Sequence, residues 1–266
     1  MTDITATRRV TLITGASGGI GADLARVFAR NGHDLALVAR GREKLQALAA
    51  EIAATGRPRP LVLVHDLGEP GSTDAVAADL AAANASVEIL VNNAGFGLNG
   101  TALDLDRAEQ VGMVDLNVRS LTNLTLRFAP EIVALRGKIL NVASVAAFLS
   151  GPGMAIYYAT KAFVVSFSDG IGQELRSSGV TVTCLCPGYT ATDFQARAGL
   201  DPKLASTVPT MTAMAVAEDG YRGLMGGKRR VVPGALNKFA VAILPFVPNA
   251  LLLPLMSRMQ TRRRAN

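Results

Sequence analysis

The sequence predicts an α/β fold: one doubly wound parallel sheet of about seven strands, with helices on both faces. Three observations carry that expectation. Short apolar runs alternate with helical stretches along most of the chain, the pattern of a parallel sheet whose crossovers are helices. A length of 266 residues suits a single α/β domain. Half the residues are apolar (49%) and only 5% aromatic, so the core is expected to be built from Ala, Val, Leu and Ile.

Strands are expected at 10–14, 34–39, 61–65, 87–92, 138–142, 180–186 and 230–232. The first runs directly into a glycine loop, Gly15 to Gly21, and a helix follows from Ile20 with Leu24, Val27 and Phe28 inward. Strand, glycine turn and helix together are the context of a dinucleotide site. Glycines let the backbone approach a pyrophosphate, and the helix N-terminus supplies N–H groups and a positive dipole. Further helices are expected at 41–54, 70–84 and 106–135, from Tyr157 to about 178, and at 213–226. Asn117 lies inside the long helix, where its amide competes for backbone hydrogen bonds. Residues 194–212 read as a mobile lid over a substrate.

Tyr157 and Lys161 are four apart and so share a helix face. A phenol titrates near ~10. An ammonium one turn away favours the phenolate and is expected to lower that value, bringing proton exchange toward working pH. Tyr158 competes for the role, but four residues beyond it lies Ala162 rather than a lysine, whereas Ser144 lies thirteen residues before Tyr157.

Taken in order, Thr14-Gly15-Ala16-Ser17-Gly18-Gly19-Ile20-Gly21, Asn92-Asn93-Ala94-Gly95, Asn117, Ser144, Tyr157, Lys161 and Pro187-Gly188 resemble the motif series of the short-chain dehydrogenase/reductase (SDR) family, from about residue 8 to about residue 235. The resemblance implies a Rossmann-like sheet and an oxidoreductase that moves a hydride between a nicotinamide cofactor and a carbonyl or alcohol. It implies Tyr157 as general acid or base, Ser144 on the carbonyl oxygen, Lys161 on the phenol and the nicotinamide ribose, and Asn117 in a water relay to Lys161. It places Gly15, Ser17, Gly18, Gly19, Ile20 and Gly21 on the pyrophosphate side, Asp66 and Leu67 beside the adenine, and Asn93, Ala94 and Gly95 along the cofactor. Pro187, Gly188, Thr190 and Thr192 would surround the nicotinamide. A non-catalytic nucleotide-sensing module on the same fold would have no need of the serine, tyrosine, lysine and asparagine together. The full tetrad also argues against a methyltransferase.

Cofactor choice is read at the end of the second strand, Leu37-Val38-Ala39-Arg40. An acid about 20 residues beyond the glycine loop binds the ribose hydroxyls of NAD. Ala39 stands there instead, and Arg40, Arg42 and Lys44 follow, which points to NADP(H) over NAD(H). The glycine loop itself offers no second basic residue at Ser17-Gly18. Phe96, Phe148, Leu149, Met154, Tyr189 and Phe194 flank the motifs and suggest a largely apolar small-molecule substrate.

The net charge is +6 and the pI near 9.7, with Arg258 and Arg262-Arg263-Arg264 part of the excess. No aromatic stacking residues accompany these arginines, so no nucleic-acid partner is expected. Cys184 and Cys186 alternate on one strand, far from His33 and His65 in sequence, and read as reduced buried thiols rather than metal ligands. The N-terminus does not read as a secretory signal, and a cytoplasmic enzyme is expected, as a homodimer or homotetramer. The chain divides into a dinucleotide-binding and catalytic domain, 1–235, and an apolar extension with a basic tail, 236–266. Within the extension, 239–256 is interrupted by Pro245, Pro248, Asn249 and Pro254, unlike a membrane-spanning helix. It has three readings: a cover over the substrate pocket, a subunit contact, or a peripheral membrane contact through 239–264.

Overall fold

The computed structural model describes residues 8–200 and 209–262. The central sheet consists of β1 (Arg8–Thr14), β2 (Leu35–Ala39), β3 (Leu61–Val64), β4 (Ala85–Asn92), β5 (Lys138–Val142), β6 (Thr181–Leu185) and β9 (Arg230–Val231). Its seven strands are all parallel, in the order β3-β2-β1-β4-β5-β6-β9. Crossovers are made by α1 (Gly19–Arg30), α2 (Arg42–Ala54), α3 (Ser72–Ala82), α4 (Arg107–Val114) with α5 (Leu121–Ala134), α6 (Ala155–Glu174) and α8 (Ala213–Met225). A short α7 (Phe194–Arg197) lies between two-residue strands β7 (Thr190–Ala191) and β8 (Met211–Thr212), which pair with each other and so tie the two ends of the lid together. Residues 201–208 of the expected lid lie outside the described residues.

The strands are apolar on both faces because both faces are covered. On β1, Ile13 joins one core with Leu24, Phe28, Leu37, Val91 and Val216, while Val10 and Leu12 join the other with Val38, Leu90, Leu124 and Phe128. The first core holds α1, α2 and α8, the second α3 and α5. Between β4, β5 and the helices runs a buried polar chain. Asn92 donates to Thr125 Oγ1 (3.0 Å) and Asn141 Oδ1 (2.9 Å), and Asn141 donates to Ser168 Oγ (2.9 Å). Cys184 and Cys186 fall on one face of the β6 stretch, both buried and free, with sulfurs 3.7 Å apart.

The long helix expected over 106–135 is one continuous path with a fault. Six residues, Asp115–Ser120, form a π-helical turn between α4 and α5, and Asn117 sits inside it. The expected last helix and strand are followed by α9 (Ala235–Ile243) and α10 (Asn249–Arg262), with Pro254 inside α10. Among the described residues no helix is both long and apolar enough to cross a membrane.

The strand order reverses at β1 and β4: the chain passes from β1 outward to β3, then returns to the other side of β1. Ligands in such sheets bind outside the strand C-termini at this reversal. There the loops after β1 and β4 face each other.

Candidate active site

The two loops at the reversal are locked by a single hydroxyl. Thr14 Oγ1 donates to Val91 O (3.2 Å) and accepts from the backbone N–H of Asn93 and of Ala94 (both 3.0 Å). Asn93 returns its amide to Thr14 O (2.9 Å) and Gly15 O (3.3 Å). The packing leaves no room for side chains. A Cβ on Gly21 would strike Gly15 O and Asn93 Nδ2, and one on Gly15, already at φ +65, would lie 2.9 Å from Ala94 Cα. Gly19 also adopts positive φ (+54). No side chain caps the N-terminus of α1, so its first N–H groups remain available on the groove side. Gly15, Ser17, Gly18, Gly19, Ile20 and Gly21 all border one groove with a cavity of about 680 Å³, within the usual range for a cofactor or small molecule. These features fit a dinucleotide's pyrophosphate: bare backbone, uncapped helix N–H groups and no Cβ in the way.

Ala39, Arg40, Lys44, Asp66 and Leu67 form one end of the groove. Asp66 accepts from Gly68 N (2.9 Å), and its other oxygen pairs with Arg40 Nη1 (3.3 Å). Asn93, Ala94 and Gly95 line the middle. Arg197, from the lid helix, also lines the groove and stacks 4.4 Å above the Phe96 ring. Burial pulls its pKa down, and the like charge of Arg40 adds to the effect. Sequence reasoning missed Arg197, because no motif marks it and only the tertiary stack brings it to the groove.

The floor is built by β5 and α6. Ser144 follows the C-terminal end of β5 and caps the 3₁₀ turn Val145–Phe148 by accepting from Ala146 N (3.1 Å). Its hydroxyl also reaches Pro187 O (3.4 Å) and hydrogen-bonds the Tyr157 phenol. Tyr157 is 8% exposed and packs with Met113, Ala146 and Met154, while Phe194 of the lid tilts against its ring at 5.5 Å. Lys161, 6% exposed, donates to Val142 O (2.9 Å) and lies 6.0 Å from the Tyr157 ring centre. Ser144, Tyr157 and Lys161 thus share the groove wall with the glycine loop. Asn117 does not line the groove. Its amide clasps the loop after β4, donating to Phe96 O (2.9 Å) and accepting from Phe96 N (3.0 Å), and donates on to Thr160 Oγ1 of α6 (3.1 Å).

The expected electrostatic balance is reversed. Burial pushes the Tyr157 phenol up to about 12, against a smaller downward pull from the Ser144 hydrogen bond, and the neighbouring Tyr158 adds to the rise. Burial likewise brings Lys161 down to about 8. Taking each charge out of water costs more than its polar neighbours return.

Pro187, Gly188, Thr190 and Thr192 form the opposite rim. Thr190 Oγ1 donates to Gly188 O (3.1 Å), and Gln195 Nε2 donates to Thr190 O. Thr192 reaches across to the glycine loop: a Cβ on Gly19 would lie 3.1 Å from its methyl. Of the flanking apolar residues, Leu149, Met154, Tyr189 and Phe194 line the groove. Phe96 and Phe148 do not. Each lies under a guanidinium instead, from Arg197 and Arg230 respectively.

Comparison with known proteins agrees with this architecture. The family model described as short chain dehydrogenase matches residues 9–203. Sulfoacetaldehyde reductase 2 of Chromohalobacter salexigens is 36% identical over 214 residues, covering 79% of this chain and 84% of the relative. A short-chain dehydrogenase from Sphingobium yanoikuyae, solved in complex with NADPH, is 35% identical. It superposes with a TM-score of 0.78, covering 91% of this chain and 97% of that one. A short chain dehydrogenase/reductase from Burkholderia phymatum in complex with NAD is 25% identical, with a TM-score of 0.80 over 89% of this chain and 92% of that one.

Proposed function

The chain belongs to the short-chain dehydrogenase/reductase family and is an oxidoreductase; on that premise we propose that it interconverts a carbonyl and a secondary alcohol on a largely apolar small molecule, using NADP(H), with Tyr157 as general acid in reduction and base in oxidation. The observation that carries the reading is the placement of Ser144, Tyr157 and Lys161 on the wall of the groove that the glycine loop also forms.

The nicotinamide, when bound, supplies or accepts the hydride. Tyr157 gives its proton to the oxygen that becomes the alcohol, or takes it back in the reverse direction. Ser144 orients that oxygen through the hydroxyl that now meets the phenol. Lys161, held by Val142 O, contacts the ribose and biases the phenol once its ammonium turns toward it. Asn117 belongs to the relay behind Lys161 as a positioning residue, since its amide fixes the loop at Phe96 and the Thr160 turn of α6. Gly15 to Gly21, Asn93, Ala94 and Gly95 hold the dinucleotide backbone, Asp66 and Leu67 its adenine, and Pro187, Gly188, Thr190 and Thr192 its nicotinamide end. The NADP(H) preference rests on Arg40, with Ala39 in the place of an acid. Leu149, Met154, Tyr189 and Phe194 support an apolar substrate.

The test is Tyr157→Phe, assayed against a panel of carbonyls and alcohols with both cofactors. Loss of a general acid–base group costs typically ~10²–10⁴-fold in turnover. NADPH affinity should hardly change, because the ring still packs against Met154 and Phe194. Tyr158→Phe should be much milder. A Tyr157→Phe enzyme within about tenfold of wild type, with chemistry rate-limiting, removes the tyrosine from its role.

A further inference from the structure

Helix α9 carries Leu236, Phe239 and Ile243 at the spacing of one helical stripe, which in a globular protein normally turns toward the core. Here none of the helix is buried. Leu236 is 66% exposed and Phe239 67%, and Phe246 in the following turn is 83% exposed. Leu251 of α10 is 69% exposed as well. None of these residues lines the groove, whose described wall ends at Leu200.

Charge separates the possible occupants. No aspartate or glutamate follows Asp219, while Lys238, Arg258 and Arg262-Arg263-Arg264 all lie beyond the last strand. In a two-fold dimer the same patch meets itself, so a segment of single sign would face its own charge. An anionic surface complements it. An apolar stripe of Leu236, Phe239 and Ile243 with Lys238 on the same helix and no acid in the segment fits the pattern of a helix that lies in a membrane interface. Breaks at Pro245, Pro248 and Pro254 and the short length of each helix suit lying on a bilayer, not crossing it.

We propose that α9 and the start of α10 dock this enzyme on an anionic lipid surface, with Leu236, Phe239, Phe246 and Leu251 entering the acyl boundary and Lys238 meeting headgroups; Arg263 and Arg264 lie outside the described residues. The docking face borders the groove. Asn237 of α9 packs so closely on Gly188 that a Cβ there would strike its amide, and Gly188 is a wall residue. An apolar substrate dissolved in the bilayer would therefore be concentrated beside the nicotinamide rim.

The experiment is flotation of the full-length chain with two vesicle types, phosphatidylcholine alone and phosphatidylcholine mixed with phosphatidylglycerol. It is repeated with a Phe239→Ser, Phe246→Ser double variant and followed by sedimentation velocity. NADPH binding to the variant, read by cofactor fluorescence, controls for folding, since both residues lie outside the core and the groove. The expected result is flotation with the anionic vesicles, weakened when salt rises from about 0.1 to about 1 M, and a loss of bound fraction of about tenfold in the variant. Protein that stays at the bottom of the gradient overturns the proposal. So does flotation that ignores both lipid charge and the two substitutions. A change of oligomer size in the variant without any flotation also overturns it, and assigns the face to a second copy of the chain.

Discussion

Arg40 is the proposed selector of cofactor, and its surroundings set what a mutation there should do. Its guanidinium is largely exposed and reaches Asp66 (3.3 Å), so it is oriented but weakly held. A 2′-phosphate offers charge and acceptor oxygens that compete well for such a group. A charge-assisted hydrogen bond is worth ~1.5–3 kcal/mol, or roughly ten- to a hundredfold in preference. Ala39→Asp with Arg40→Ala should therefore move the ratio of kcat/KM toward NAD by that factor. A wild type that already favours NAD, or a ratio that stays put, removes Arg40 as selector. Lys161 yields a second prediction. Its folded pKa of about 8 lies below its ordinary value of 10.5. Between those values the unfolded chain binds more protons than the folded one, so stability should rise as pH climbs from about 8 to about 10. Below pH 8 the buried ammonium costs up to roughly 3 kcal/mol, part of which Val142 O returns as an acceptor. Tyr157, pushed up to about 12, acts with the opposite slope only above its ordinary value of 10.0. Lys161→Met should thus flatten the stability profile between pH 8 and 10 and raise it below pH 8. Urea unfolding across that range reads both effects, and superimposable profiles would show that the amine is not desolvated. Here sequence spacing was informative about which residues meet and misleading about their charge. The four-residue interval from Tyr157 to Lys161 places them on one face of α6, but the burial that decides both pKa values is made by the tertiary packing around that face, which the interval does not encode.

At the scale of elements, the glycine loop and the turn after β4 act as one part through Thr14 and Asn93. Gly21→Ala tests this, because the new methyl would meet Gly15 O, which is fixed backbone, and an Asn93 amide already committed to two carbonyls. Overpacking costs ~1–3 kcal/mol, and with no flexible neighbour the upper end applies, a fall in Tm of roughly 5–10 °C. NADPH fluorescence enhancement should vanish with it. Gly18→Ala is the control: its backbone is extended and a Cβ would meet nothing within 4 Å, so its Tm should not move. Equal behaviour of the two variants would dissolve the argument. The elements themselves were largely legible, since apolar runs and glycine turns are local signals. The strand over Lys138–Val142 appears with its expected ends, and most others within one or two residues. The π-turn at Asp115–Ser120 left only a trace, an asparagine in a helix, because what opens the helix is the demand of Phe96 and Thr160 for the Asn117 amide. The pairing of β7 with β8 left none: two residues carry no period, and the ladder exists because the lid brings its ends together.

For the molecule as a whole, the question is where the folding unit ends. The buried apolar core stops at Leu224 of α8 among the described residues, and the last strand closes the sheet at Val231. What lies beyond touches the rest at few points: Asn237 donates to Pro233 O (2.8 Å) and leans on Gly188, and α9 passes beside the Val145–Phe148 turn. Exposed apolar side chains on α9 contribute little to stability, since folding removes little of their surface from water. Residues 1–235 should therefore fold without the extension. A chain ending at Gly234 is expected to unfold cooperatively with a Tm within about 4 °C of the full chain, ~1 kcal/mol for a protein of this size. It should bind NADPH within about threefold, ~0.7 kcal/mol, because no described residue after Leu200 lines the groove. Substrate affinity is the quantity expected to suffer, since removing Asn237 frees the Gly188 turn that holds Tyr189, one of the groove residues proposed to meet the substrate. Thermal melts, cofactor titration and KM measured on the same truncated chain separate these effects. A truncated protein that melts tens of degrees lower, or fails to fold, would make the extension part of the core and place the domain boundary beyond α9.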